Sequence, residues 1–492
     1  MELDLRTCAR ARLTRDARFD GRIFIGVRTT RIYCRPICTS PKANEKNVRY
    51  FPSAAAAHQA GFRPCLRCRP ECAPGTPLGQ GMPGPLSRAL RLMAETGPED
   101  ADRETWAGRL GVEPRDLRQM FVQHLGATPR AVAQTRRLHF AKRLIDETDL
   151  PMGRLALAAG FGSVRQFNAA IRQVYRRTPT AIRRLARRTI APPRNEYLFR
   201  LHFRPPYHWD GMLAFLSPRA TPGVEAVRDG TYYRSIDCEG EHGWLAVSAL
   251  PGEDALAVRI GIGDPCLLFR IIERVRAMFD LNADCTAVAH TLAGDPVLAA
   301  RIAACPGLRI PGCWNSFELA VRAILGQQIT VKGATALAGR LVQAYGQPSA
   351  GPCGVAYVFP PPEVLARASL TCIGLTGKRA ETIRRLARAI CDRRISFDNG
   401  ADSARLLHDL CEIPGIGTWT AQYVAMRVLG EPDALPSGDL GMLRALGLRH
   451  ARELESRAET WRPWRAYAAI YLWTGSHAPA GGGTQSVFTA PL

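Results

Sequence analysis

The chain has 492 residues, 66 Lys+Arg against 44 Asp+Glu, and a net charge of +22 at pH 7. That length exceeds one hydrophobic core and calls for roughly three or four domains, while an excess dominated by arginine points to phosphates and bases as partners. No apolar run reaches the roughly 18 residues of a membrane span, and the N-terminus lacks the order of a signal peptide; the expectation is a cytosolic protein whose 15 cysteines serve as metal ligands or small core residues, not disulfides.

Two close pairs come first, Cys34-x3-Cys38 and Cys65-x2-Cys68. They are separated by enough chain to fold back, as four thiolates around one tetrahedral zinc require. Cys72 is a spare that could compete as a ligand. The surrounding runs, Phe24-Ile-Gly-Val-Arg-Thr-Thr-Arg-Ile-Tyr-Cys34-Arg-Pro-Ile-Cys38 and Ala60-Gly-Phe-Arg-Pro-Cys65-Leu-Arg-Cys68, resemble the methylphosphotriester repair module of the Ada family. The resemblance implies that Cys34 is both zinc ligand and methyl acceptor. Zinc keeps such a thiol deprotonated, and therefore nucleophilic, at neutral pH. Methylation would cancel one of the cluster's two net negative charges and tighten DNA binding, a stoichiometric switch without turnover. The Pro/Gly-rich run Ala73 to Pro85 reads as a linker closing this domain.

From Leu86 to about Arg188 the pattern is helical with arginine on the polar faces, and it stops at Ala191-Pro-Pro193. Two helix-turn-helix units are legible, 106–121 turning at Gly111 and 155–172 turning at Gly160-Phe-Gly162. With the ending Tyr175-Arg-Arg-Thr-Pro179 they resemble an AraC-type DNA-binding domain, whose following helices enter major grooves. Arg115, Arg118, Arg165 and Gln166 are candidate base or phosphate contacts, or else a solvated face. Leu117, Phe121 and Phe167 have core spacing.

Segments rich in Tyr, Phe, Val and Trp between about Tyr197 and Ile260, with turns at Asp229-Gly230 and Glu239-Gly240, are expected to be antiparallel strands. Helices should follow from Asp264 to about Trp473, with a loop over 346–362 and a disordered tail from Ala478 to Gly483. Within the helical part, Ile413-Pro-Gly-Ile-Gly417 is a hairpin whose Gly415 and Gly417 let backbone N–H groups approach a phosphate at the next helix start. Leu435-Pro-Ser-Gly-Asp439-Leu-Gly follows it. These runs, with Phe317-Glu-Leu-Ala-Val-Arg-Ala-Ile-Leu-Gly-Gln-Gln-Ile-Thr330 and Trp461-Arg-Pro-Trp-Arg-Ala-Tyr467, resemble 3-methyladenine DNA glycosylase II of the AlkA type, a helix-hairpin-helix glycosylase.

That resemblance implies that Asp439 is the catalytic carboxylate, where the bare residue reads as a helix N-cap. It implies that Trp419, Tyr423 and Trp473 line the base pocket, where each could also be core; electron-rich faces suit a positively charged methylated purine flipped from the stack. The duplex wedge is Gln328 or Ile329, and the two stay open. Strand-cutting relatives carry lysine where this chain has Trp419, so a monofunctional enzyme is expected. With Cys411 the last cysteine, no iron–sulfur cluster is expected. Nothing matches the Pro-Cys-His-Arg motif of the Ada family's second methyl acceptor, so repair of O6-methylguanine is not expected.

The expected fold is a multidomain α+β chain: a small four-cysteine zinc domain at 1–75, an all-α double helix-turn-helix domain at 86–188, an antiparallel β-rich α+β subdomain at 196–305 and an all-α helix-hairpin-helix glycosylase domain at 306–476. Its expected function is release of 3-methyladenine and 7-methylguanine from DNA, fused to a methyl acceptor and a regulator-like DNA-binding domain. The partners implied are one zinc ion, double-stranded DNA with alkylated bases or methylphosphotriesters, promoter sequences and RNA polymerase, for a monomer at the cytoplasmic nucleoid and no membrane. The alternative is an adaptive-response transcriptional regulator whose glycosylase module does no catalysis.

Overall fold

The computed structural model describes residues 4–76, 82–95, 103–186, 193, 195–397 and 402–474. The middle of the Ala73–Pro85 linker, the helical stop at Ala191-Pro192 and the tail Ala478 to Gly483 lie outside them. Among the described residues no helix is long and apolar enough to cross a membrane.

A four-stranded sheet comes first, made of β1 (Phe24–Val27), β2 (Ile32–Cys34), β3 (Val48–Phe51) and β4 (Arg63–Pro64) in the order β3-β1-β2-β4. The strand-rich stretch forms a five-stranded antiparallel sheet of β5 (Glu196–His202), β6 (Glu225–Arg228), β7 (Thr231–Cys238), β8 (Glu241–Ala249) and β9 (Ala255–Gly261), in the order β5-β9-β8-β7-β6. The chain divides into two compact units: Met1–Pro205 with Gly252–Arg276 and Leu281–Asp284, and Pro206–Pro251 with Ala277–Asp280 and Cys285–Leu492.

In the first unit the small sheet cannot bury its own apolar face, and helices cover it. Phe24, Tyr33, Phe51 and Phe62 join Leu86, Leu92, Trp106, Leu117, Phe121 and Leu125 in one core, so the cysteine-bearing sheet and the first helix-turn-helix share an interior. Gly26 in β1 is required there: a Cβ would stand 2.7 Å from the Phe51 ring and 2.9 Å from that of Phe62. The turn after Cys68 is tied to the long helix Pro129–Glu147 by buried charges, with Lys142 reaching Glu71 at 3.3 Å and Asp146 at 2.5 Å, and Arg69 reaching Glu147 at 2.5 Å. The helix-turn-helix pairs are Arg103–Leu110 with Pro114–Leu125, and Met152–Ala158 with Val164–Tyr175. Their turns use the left-handed backbone of Gly111 (φ 66°) and Gly160 (φ 74°), and Phe121, Phe167 and Leu117 are fully buried.

In the second unit, the helix Ser316–Leu325 is buried on every side. Even its Glu318 is enclosed, held by Arg234 at 2.6 Å. Two elements differ from those expected. Between β5 and β6 lies a helix, Trp209–Leu216, whose start is capped by His208 Nδ1 accepting from Gly211 N–H at 2.8 Å; eight residues flanked by strand-formers hide its period. The expected loop over 346–362 holds a minimal antiparallel pair, Gln347–Pro348 with Tyr357–Val358, too short to leave an alternating pattern.

Candidate functional site

The parallel pairing of β2 with β4 sets Tyr33 opposite Pro64, and Cys65 N–H donates to Tyr33 C=O at 3.0 Å. This brings Cys34 and Cys38 to Cys65 and Cys68, whose sulfurs all lie within 4.8 Å of one another. Tetrahedral zinc with Zn–S of about 2.3 Å would set sulfurs about 3.8 Å apart, so the four thiols fit one closed zinc site. Arg35, buried, donates from Nε to both oxygens of Asp20 at 3.0 Å and from Nη1 to Cys68 C=O at 3.3 Å. Its backbone N–H also donates to Cys68 Sγ at 3.3 Å, drawing electron density from that sulfur and not from Cys34. Cys72 stands apart from the cluster, its Sγ 3.8 Å from Glu147 Oε1, and burial pushes its thiol up to about 12. It is not a competing ligand.

Arg115, Arg118, Arg165 and Gln166 are all exposed on the second helices of their units. Gln166 also has a local task that spacing did not suggest: its Oε1 accepts from Gly162 N–H at 3.1 Å, while Ser163 Oγ accepts from Gln166 N–H at 3.1 Å, closing the helix start.

The hairpin joins the helices Ser403–Cys411 and Thr418–Val428. Gly415 has φ 98°, and a Cβ there would meet Thr382 Oγ1 at 2.2 Å, because that hydroxyl packs in to donate to Pro414 C=O at 3.0 Å. Gly417 is the N-cap of the second helix and supplies no side-chain acceptor, so the N–H groups of the first turn keep their affinity for an anion. Gly415→Ala is expected to cost about 1–3 kcal/mol of stability and to loosen DNA binding, read as a lower Tm and a higher Kd. An unchanged pair of values would remove the hairpin from the DNA grip.

Asp439 caps the helix Leu440–Leu446, and its carboxylate is only 1% exposed. Oδ1 accepts from Met442 N–H at 2.9 Å and from the Trp473 indole at 3.0 Å; Oδ2 accepts from the Trp419 indole at 3.3 Å. It is therefore an N-cap and something more, since a cap has no need of two indole donors. Burial raises its pKa above the usual carboxylate value, and the Met442, Trp473 and Trp419 bonds pull the other way. Trp419 and Tyr423 stack at 5.3 Å with planes 9° apart, and Tyr423 lies 6.1 Å from Trp473. The structure thus gathers Asp439, Trp419, Tyr423 and Trp473 into one aromatic-walled site. Gln328 is exposed in left-handed backbone (φ 58°) on the turn after Ser316–Leu325, with Ile329 half-buried beside it.

Models of four families match the chain in order: the metal binding domain of Ada over residues 7–71, a helix-turn-helix domain over 106–185, the AlkA N-terminal domain over 198–315, and the HhH-GPD superfamily base excision DNA repair protein over 321–465. A probable bifunctional transcriptional activator/DNA repair enzyme AlkA of Mycobacterium tuberculosis is 40% identical over 488 residues, covering 97% of this chain and 98% of the relative. The chain belongs to this bifunctional AlkA family. The DNA-3-methyladenine glycosylase 2 of Escherichia coli is 35% identical over 282 residues, 56% of this chain and 96% of that protein. A solved 3-methyladenine DNA-glycosylase from Archaeoglobus fulgidus shares the fold, with a TM-score of 0.51, 22% identity, and coverage of 56% of this chain and 98% of that one.

In this AlkA-family chain four further side chains stand around the site that no motif singles out. Gln327 Nε2 donates to Gly415 C=O at 2.9 Å and to Thr420 Oγ1 at 3.0 Å, tying the turn that bears Gln328 to the hairpin. Arg427 donates to Tyr423 Oη at 2.7 Å, and Arg219 stacks 4.1 Å from the Phe215 ring centre. The spacing of Trp419, Tyr423 and Arg427, each four residues on, marks one helix face and could have found Arg427. Phe215 and Arg219 gave no signal, because Phe215 belongs to the helix hidden among strands and Arg219 follows it.

Proposed function

We propose that this chain removes 3-methyladenine and 7-methylguanine from double-stranded DNA by one-step hydrolysis at Asp439, without cutting the strand. The observation that carries the reading is the buried Asp439 carboxylate, held by two indole donors at the edge of an aromatic cage. A flipped purine that carries positive charge gains from those ring faces. As the C1′–N bond breaks, its electron pair leaves with the base, which becomes neutral, and positive charge builds on the sugar. Asp439 stabilises that charge and orients the water that attacks C1′, whose proton passes to the carboxylate or to solvent. Trp419 offers no amine for a Schiff base, which supports a lyase-free course.

For the first unit we propose that residues 1–75 accept a methyl group from a methylphosphotriester and that residues 86–188 read promoter DNA, with the glycosylase formed by 196–305 and 306–476. Bound zinc would hold the cysteines as thiolates. Cys34 Sγ then attacks the methyl carbon, the C–O bond to phosphorus breaks, and the phosphodiester leaves as an anion while Cys34 becomes a thioether. The Arg35 N–H bond to Cys68 supports Cys34 over Cys68 as the nucleophile. Arg165 and its neighbours would contact promoter DNA and bring RNA polymerase, for a monomeric chain at the nucleoid.

Activity at Asp439 requires the ionised carboxylate, so the rate should fall as pH drops through a pKa raised above the usual value. Trp473→Phe removes a donor that stabilises the charge, which raises that pKa further. The acid limb of the single-turnover rate should move to higher pH, and an unmoved limb would mean that Asp439 does not set it. The reading as a whole is tested by incubating methylated duplex with the chain and counting alkali-labile sites. Accumulation supports the enzyme; tight binding with no new sites would support the non-catalytic regulator instead.

A further inference from the structure

Arg427 sits one helical turn beyond Tyr423 and is nearly enclosed, yet each of its three nitrogens donates to a neutral oxygen. Nε donates to Pro311 C=O at 2.7 Å, Nη2 to Gly312 C=O at 3.0 Å and Nη1 to Tyr423 Oη at 2.7 Å. The carbonyl platform is rigid: Gly312 N–H donates to Met278 C=O at 2.8 Å, and a Cβ on Gly312 would stand 2.8 Å from Ala277 C=O. A guanidinium has donors only, so Tyr423 must accept from it, and the tyrosine keeps one O–H proton to place. Tyr423 is itself buried, 3% exposed, beside Trp419 and Trp473, where an O–H needs an acceptor. The unmethylated ring nitrogens and carbonyl of a purine are acceptors of the right kind. Arg219 lies on the same aromatic ring as Arg427, 4.1 Å and 5.0 Å from the Phe215 centre, and burial pulls Arg219 down to about 10, an effect that Tyr423 partly offsets.

We propose that Arg427 is a positioning residue of the base pocket: by donating to Tyr423 Oη it commits the tyrosine O–H to the departing purine as a hydrogen-bond donor. This rests on reading the Asp439 site as the one that excises bases. When the C1′–N bond breaks, the purine takes the electron pair, and its charge falls by one unit. A cationic base becomes neutral and a neutral base becomes an anion. A fixed donor backed by a guanidinium stabilises the second leaving group more than the first, and the same positive field opposes binding of a base that arrives as a cation.

The test measures single-turnover release and KM for 7-methylguanine and for hypoxanthine, one cationic and one neutral, from otherwise identical duplexes. Tyr423→Phe keeps the ring stack and removes only the hydroxyl. Its hypoxanthine rate should fall by about tenfold or more, the worth of one hydrogen bond to a charged group, with a distinctly smaller loss for 7-methylguanine. Arg427→Gln should shift the ratio of the two rates in the same direction and lower KM for 7-methylguanine, and Arg427→Lys, which keeps the charge, should restore part of the ratio. In the Tyr423→Phe background, Arg427→Gln should leave the ratio of rates unchanged. Equal losses for both bases, a full Arg427 effect without the tyrosine hydroxyl, or a wild type that releases 7-methylguanine but no hypoxanthine overturns the proposal. Should Arg427→Gln not fold, an unaltered ratio in Tyr423→Phe overturns it alone. A wild type that releases neither base contradicts the parent reading instead.

Discussion

Asp439→Asn is expected to lower base release from methylated duplex by about 10³-fold or more while leaving the fold and DNA affinity in place. The substitution separates the two roles that the geometry combines. Asparagine caps helices about as well as aspartate, so the bond from Met442 N–H at 2.9 Å survives and the helix Leu440–Leu446 keeps its start. What disappears is the buried negative charge that the two indole donors hold. Burial disfavours that charge, but the amide nitrogen of asparagine cannot accept the indole bond that Trp419 makes to Oδ2, so a small fall in Tm is expected beside the large fall in rate. A rate loss of this size with Tm lowered by only a few degrees would therefore report chemistry. A variant that retains most of the rate would reduce Asp439 to a cap and leave the aromatic cage without a catalyst.

The second large effect concerns Cys34. Wild-type chain incubated with methylphosphotriester DNA is expected to gain one methyl mass, located on Cys34, and then to bind DNA roughly tenfold more tightly at low salt. Loss of one negative charge at an effective dielectric near 20 and separations of several ångström supports a gain of that size, and salt should erode it. Cys34→Ser should abolish both the mass gain and the tightening. Cys72→Ser should change neither, because Cys72 lies outside the four-sulfur cluster. A methyl group recovered on Cys38, or tightening without any methyl group, would contradict the assignment.

The legible parts of this chain were those where chemistry needs particular residues at short range. Two cysteine pairs announced the metal cluster because thiolates that share one ion must come in close pairs on turns. The helix-turn-helix units were legible through Gly111 and Gly160, whose left-handed backbone few other residues adopt. Asp439 and its aromatics were legible only through resemblance, since a lone Asp after Gly438 reads equally as a cap.

Long-range packing left no such marks. The shared core of Phe51, Phe62, Trp106 and Phe121 depends on how a sheet meets helices that follow a Pro/Gly-rich run, and the run itself invites a reading as a spacer. The tie from Gln327 to Gly415 spans 88 residues, and no period or motif encodes it. Trp209–Leu216 was hidden because Trp, Met, Leu and Phe serve strands and helices alike, so only the His208 cap distinguishes them.

Expulsion of cationic alkylated purines with the strand left whole is measured by mass spectrometry of the small molecules freed from a methylated duplex, with the same sample run on a denaturing gel before and after alkali. Free 3-methyladenine and 7-methylguanine are expected, with intact strands before alkali and breaks only after it. Free base accompanied by breaks before alkali, or no free base from a chain that binds the duplex, would contradict that expectation.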